Sequence, residues 1–138
     1  MGKIAMIREA LAAAMTMDGL STEAYVRDIA DVPVAMVGGP DPIEYDKTFG
    51  RGHDDMTFPI MIFASRVSDE EAQENLDAYL DPYGTSSLKA AIESDSTLGG
   101  VVEDLRVTGT QEYGPHDING ILYLGAVLLV SVMSPGKA

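Results

Sequence analysis

Residues 56–67, MTFPIMIFASRV, place Phe58, Ile60, Ile62 and Ala64 on one side and Thr57, Met61, Phe63 and Ser65 on the other. A period of two held over this many residues describes an extended strand with two differently occupied faces. Pro59 falls near its start, where a strand best tolerates a missing donor. Residues 121–133, ILYLGAVLLVSVM, form the longest apolar run in the chain. As a helix that run would span about 20 Å of a hydrocarbon layer about 30 Å thick, so it reads as a second buried strand rather than a membrane span. Two such strands need a covering layer, and the remaining segments supply one.

Ile4, Ile7, Leu11 and Met15, with Ala10 and Ala14, recur at three- and four-residue steps, while Lys3, Arg8 and Glu9 fall elsewhere. This predicts an amphipathic helix ending near Asp18 and Gly19. Residues 21–31 admit either a short strand or a helical turn around Tyr25 and Val26. Residues 33–37, PVAMV, predict a buried strand stopped by Gly38, Gly39 and Pro40, and Ile43 and Tyr45 alternate as on a half-exposed strand. KTFGRGHDD, residues 47–55, reads as a loop tip. Ser68 and Glu71 have the spacing of a capping box, followed by Ala72, Leu76, Tyr79 and Leu80 on one helical face. A short helix is expected over 87–94. A strand opens with Val101, Val102, Leu105 and Val107, and residues 114–120 read as a loop ending in Asn119-Gly120 before the final strand.

The order α-β-β-β-α-α-β-β, with short connections between successive strands, predicts an α+β fold with a mostly antiparallel or mixed sheet and helices packed on one face. At 138 residues the chain has the length of one domain, residues 1–138, with 134–138 expected as a loose tail. Hydrophobic residues at 46% and charged residues at 22% exclude a disordered or collagen-like chain.

Nine Lys and Arg stand against 22 Asp and Glu, a formal net charge of −13. That balance lacks the basic footprint of a DNA or RNA binder and disfavours anionic membranes. Cysteine is absent, which removes disulfides and thiolate chemistry and makes a reducing compartment the plainer expectation. Arg8 and Glu9 interrupt the opening apolar stretch, which therefore lacks a signal-peptide core, and the expectation is a soluble, intracellular protein.

Candidate chemistry is sparse. His53, Asp54 and Asp55 offer an imidazole and two carboxylates, the donor types of a small metal-dependent hydrolase, against a solvated loop tip or a subunit contact. His116-Asp117 sits in an expected turn without a positioned nucleophile. Walker, G-x-G-x-x-G, G-x-S-x-G and H-E-x-x-H patterns are missing, so neither catalytic residues nor a cofactor are expected. Asp69, Glu70, Glu71, Glu74, Asp77 and Asp81 form an acidic run without a base. The first three complement a helix N-terminus; Glu74, Asp77 and Asp81 lie beyond the dipole's reach and mark a surface kept negative. Phe49, isolated among glycines and charges, either folds back on the core or anchors a partner, with Arg51 and His53 beside it as the expected subunit contact.

IREALAAAM, the stretch from VGGPDPIEYDKTFGRGHDD through FPIMIFASRVSDEEAQENLDAYLDP, and DSTLGG leading into VVEDLRV and the closing hairpin together resemble tail terminator proteins of long-tailed bacteriophages, particularly those of actinobacteria. The resemblance rests on layout across most of the chain. It implies a non-enzymatic subunit that forms a homo-hexameric ring, either free or only at the tube tip, on the tail tube protein. There it stops polymerisation and presents a docking surface to the connector or stopper protein of the filled head. It also implies residence in the host cytoplasm and then at the tail–neck junction of the virion. DNA would pass through without specific binding, the Glu74, Asp77 and Asp81 face lining the channel. A head–tail stopper or other neck protein shares these traits; a monomeric binding domain is the remaining alternative.

Overall fold

The computed structural model describes residues 2–17, 19–29, 31–45, 52–66 and 70–135. Among them are helices α1 (Lys3–Ala14), α2 (Glu70–Leu80) and α3 (Leu88–Glu93), and strands β1 (Ser21–Glu23), β2 (Val34–Val37), β3 (Ile43–Glu44), β4 (His53–Arg66), β5 (Asp104–Ile118) and β6 (Ile121–Pro135). The fold is α+β, as expected. The strands form one six-stranded sheet in the order β1-β2-β4-β6-β5, with β3 beside β4. Every pairing is antiparallel except β1 with β2. β1 lies in the segment whose sequence left strand and helical turn open.

The alternation in β4 does what its period dictates. Phe58, Ile60, Ile62 and Ala64 join Leu124, Ala126, Leu128, Val130 and Val132 of β6, and Ala35 and Val37 of β2, in the main core. Onto this face pack Ile7 and Leu11 of α1 with Met15 just after it, Ala72 and Leu76 of α2, and Leu88 and Ile92 of α3, so all three helices cover the same side. Val34, Met36, Phe63 and Tyr123 point the other way. The connection between the parallel strands β1 and β2 crosses over that end, where Ile29 and Val32 pack on the second cluster.

Local signals set several boundaries. Ser87 caps α3, its hydroxyl accepting from the Ala90 amide at 3.1 Å. Asn119 and Gly120 both have positive φ, 53° and 84°, as a two-residue type I′ hairpin turn requires. DSTLGG folds around Asp95, whose carboxylate accepts from the amides of Gly99 (2.8 Å) and Thr97 (3.1 Å) and from the Thr97 hydroxyl (2.9 Å). Those bonds, the Gly99 amide foremost, hold its pKa below the ordinary carboxylate range. The turn drops Leu98 into the core. Residues 68 and 69 of the expected capping box lie outside the described residues.

Three boundaries depart from expectation because strand pairing outlasts local pattern. His53, Asp54 and Asp55 belong to β4 rather than a loop tip, held by pairing to Pro135, Ser134 and Met133 of β6. For the same reason Ser134 and Pro135 are strand rather than loose tail, and Ser134 is 1% exposed. Residues 114–118 continue β5 instead of forming a loop, since β6 pairs with them up to the turn. α1 ends at Ala14, a turn earlier than the sequence indicates.

Glu93 ties α3 to the edge strand. Its carboxylate pairs with Lys89 and accepts the Val107 amide of β5 at 2.9 Å. The Lys89 hydrogen bond, followed by the Val107 amide, holds its pKa below the ordinary value despite partial burial. A depressed folded-state pKa contributes stability above the ordinary carboxylate range, lost as the pH falls through the lowered value. Glu93→Gln is therefore expected to cost about 1 kcal/mol at neutral pH. The gap to the parent chain should narrow in urea titrations below about pH 4.

Candidate functional site

α2 has a clear division of labour. Ala72 and Leu76 face the core, while Glu74, Asp77 and Asp81 follow at helical steps on the exposed side, Asp81 just beyond the last turn. The Tyr113 hydroxyl donates to the Asp77 carboxylate at 2.7 Å. A carboxylate accepting the phenolic proton favours the protonated form, so the Tyr113 pKa lies above its ordinary value. Tyr113 reaches α2 because the β5–β6 register shifts between Gln111 and Gly114, where Glu112 adopts φ 57°. Such a bulge re-aims a side chain off the regular alternation. Sequence reading missed Tyr113; the glycine after it was the available signal. Glu74 and Asp81 keep exposed side chains, so the expected acidic face exists as an exposed stripe with one member tied to the sheet.

Of the expected subunit contact, Phe49 and Arg51 lie outside the described residues. The half-buried His53 imidazole pairs through Nε2 with Glu103, and its Nδ1 is buried without a partner among the described residues. The pleat separates the would-be metal ligands: His53 and Asp55 share one face of β4 and Asp54 takes the other, beside Ser134. Among the described residues no group of three His, Asp or Glu converges. His116, read as a turn residue, lies on β5 with its ring edge-on to Phe63 at 5.7 Å, and its Nε2 stands 2.7 Å from the Glu112 carbonyl.

The sheet face opposite the helices offers a different surface. Away from the end covered by Ile29 and Val32, the pleat sets Asp55, Met133 and Asp104 in one row across β4, β6 and β5, and Thr57, Ser131 and Arg106 in the next. Asp55, Asp104, Leu105, Arg106, Ser131 and Met133 line a shallow depression there. Carboxylates, a guanidinium and a half-exposed methionine suit contact with another surface; no arrangement of nucleophile, base and orienting group is present among them.

No helix among the described residues is long and apolar enough to cross a membrane. Compared with known protein families and with curated proteins, the chain matches no family model and no individual protein.

Proposed function

We propose that this chain is a non-enzymatic structural subunit of a bacteriophage tail, a tail terminator that forms a hexameric ring on the tail tube, stops its polymerisation and presents a surface to the head connector. The observation that carries the reading is the division of the subunit into two unlike faces. One side is a helical layer bearing the Glu74, Asp77 and Asp81 stripe; the other is a sheet face that the described residues leave largely uncovered. Subunits that pack by a head-to-tail contact close into a ring when the rotation permits, and unlike faces suit a part placed between two different neighbours. With a net charge of −13 per copy, a ring that turns the α2 stripe inward repels passing DNA over a screening length of about 8 Å.

Light scattering behind a sizing column, together with capture on purified tail tubes, tests this. A species of six times 14.7 kDa, or binding confined to one tube end, supports the reading. A monomer at every concentration that no tube captures overturns it. Loss of a terminator gives over-long tubes, whereas loss of a stopper leaves tails of normal length without heads. In assembled particles, changing Glu74, Asp77 and Asp81 to lysine is expected to slow genome ejection without blocking assembly, and unchanged ejection removes α2 from the channel.

A further inference from the structure

Of the helices among the described residues, α1 is the one that begins bare. α2 opens with Glu70 and Glu71, and the Ser87 hydroxyl caps α3. α1 follows Gly2, which makes no side-chain bond, and it carries no acid in its first turn. The Met6 amide donates to the Gly2 carbonyl at 3.0 Å, whereas the amides of Lys3, Ile4 and Ala5 have no acceptor among the described residues. An open pocket of about 360 Å³ lies against this helix end, walled by Asp54 and Met56 of β4, Ser134 of β6 and Tyr45. Ser134 is 1% exposed, yet its hydroxyl has no hydrogen-bond partner among the described residues. It stands on the helical side of the sheet, in register with Asp54. The Lys3 ammonium is turned away and donates to the Val101 carbonyl at 3.0 Å. A buried hydroxyl without a partner is uncommon in a folded protein, and this one adjoins a helix end whose own donors are unspent.

We propose that this pocket takes a carboxamide, the side chain of an asparagine or glutamine presented by a partner protein, which caps α1 from outside the chain. Each wall accounts for one part of that group. The α1 amides and the Ser134 hydroxyl are donors and call for an acceptor oxygen. The Asp54 carboxylate, although engaged elsewhere, has lone pairs for a further N–H. Charge narrows the choice. A carboxylate or phosphate, otherwise favoured at a helix N-terminus, would lie against Asp54 on a chain of net charge −13. An ammonium or guanidinium would lie against the positive end of the helix. A carboxamide offers both acceptor and donor without a charge, and asparagine ranks with aspartate and serine among the best N-caps. Ile4, Met56 and the Tyr45 ring, 69% exposed, give apolar contact to residues flanking the carboxamide, which favours a protein segment over a free amide. The site stands independently of the phage reading.

The test follows the backbone amides of Lys3, Ile4 and Ala5 by NMR in the full chain while acetyl-Leu-Asn-Leu-methylamide is added. These three signals are expected to shift together and to saturate with a dissociation constant on the order of millimolar. The same peptide with Asp or Lys in place of Asn should bind at least about tenfold more weakly. Ser134→Ala should weaken the Asn peptide about fivefold, the loss of one hydrogen bond. Gly2 already has the extended backbone of an N-cap, φ −74° and ψ 164°, so Gly2→Asn should fill the same amides from within the chain and weaken the peptide at least as much. Because Gly2→Asn alters an exposed position, it keeps the test informative if Ser134→Ala disturbs folding. Amides that stay still up to about 100 mM peptide overturn the proposal, as does binding that Gly2→Asn leaves unchanged. Tighter binding of the Asp peptide makes this an anion site and overturns the carboxamide. Acetamide binding as tightly as the Asn peptide overturns the partner segment.

Discussion

Gly125→Ala is expected to be the most damaging glycine-to-alanine change among the glycines whose surroundings are described. A Cβ at position 125 would lie 2.4 Å from the Ile62 carbonyl oxygen and 2.8 Å from Cδ1 of Phe63. The first of these neighbours is backbone of the adjoining central strand, so no rotamer change relieves the contact. Either β4 and β6 separate locally or the register moves at the irregularity between Phe63 and Ser65. Overpacking of this kind costs roughly 3 kcal/mol, a fall in melting temperature of about 10 °C for a domain of this size. Gly109→Ala is the control, because a Cβ there meets nothing within 4 Å. It should change stability by less than about 0.5 kcal/mol. Equal melting temperatures for the two variants would show that the β4–β6 pair yields more easily than its geometry indicates.

Arg8→Ala is expected to loosen the whole segment between β1 and β3. The Arg8 guanidinium donates to the carbonyls of Ala24 at 3.1 Å and Val37 at 3.0 Å and lies 4.5 Å over the Tyr25 ring. One side chain of α1 thereby closes the ends of the crossover and of β2 together. Truncation leaves both carbonyls without this donor in a partly buried place and removes the cation–π contact, a loss of about 3 kcal/mol. Arg8→Lys keeps the charge but gives up the planar fork, so it should recover about half of that loss. Urea denaturation measures the totals, and amide exchange through residues 20–37 locates them. Exchange that rises evenly over the whole chain, with no excess in this segment, would refute the pinning role.

Arg8 also shows what sequence reading reached and where it stopped. Its position off the apolar face of α1 was legible. Its two carbonyl acceptors were not, because they lie 16 and 29 residues away. The candidate sites divide in the same way. The exposed stripe of Glu74, Asp77 and Asp81 followed from helical spacing alone, whereas the hydroxyl that binds Asp77 arrives from a bulge 36 residues on. The depression around Arg106 had no signature along the chain, since its walls come from three strands that only the sheet brings side by side.

By itself the sequence determined which face the long strands and helices bury, that a short helix starts at about Ser87, where Asn119-Gly120 turns the last hairpin, and hence the α+β class. These are properties of a period, a cap or a turn within a few residues, and local sterics and hydrogen bonding decide them. Only the tertiary structure decided that β6 lies between β4 and β5 and that His53–Asp55, residues 114–118 and Ser134–Pro135 are strand. A strand's ends are set by the partner that satisfies its backbone donors and acceptors, and that partner is distant in the chain, so no local pattern announces it.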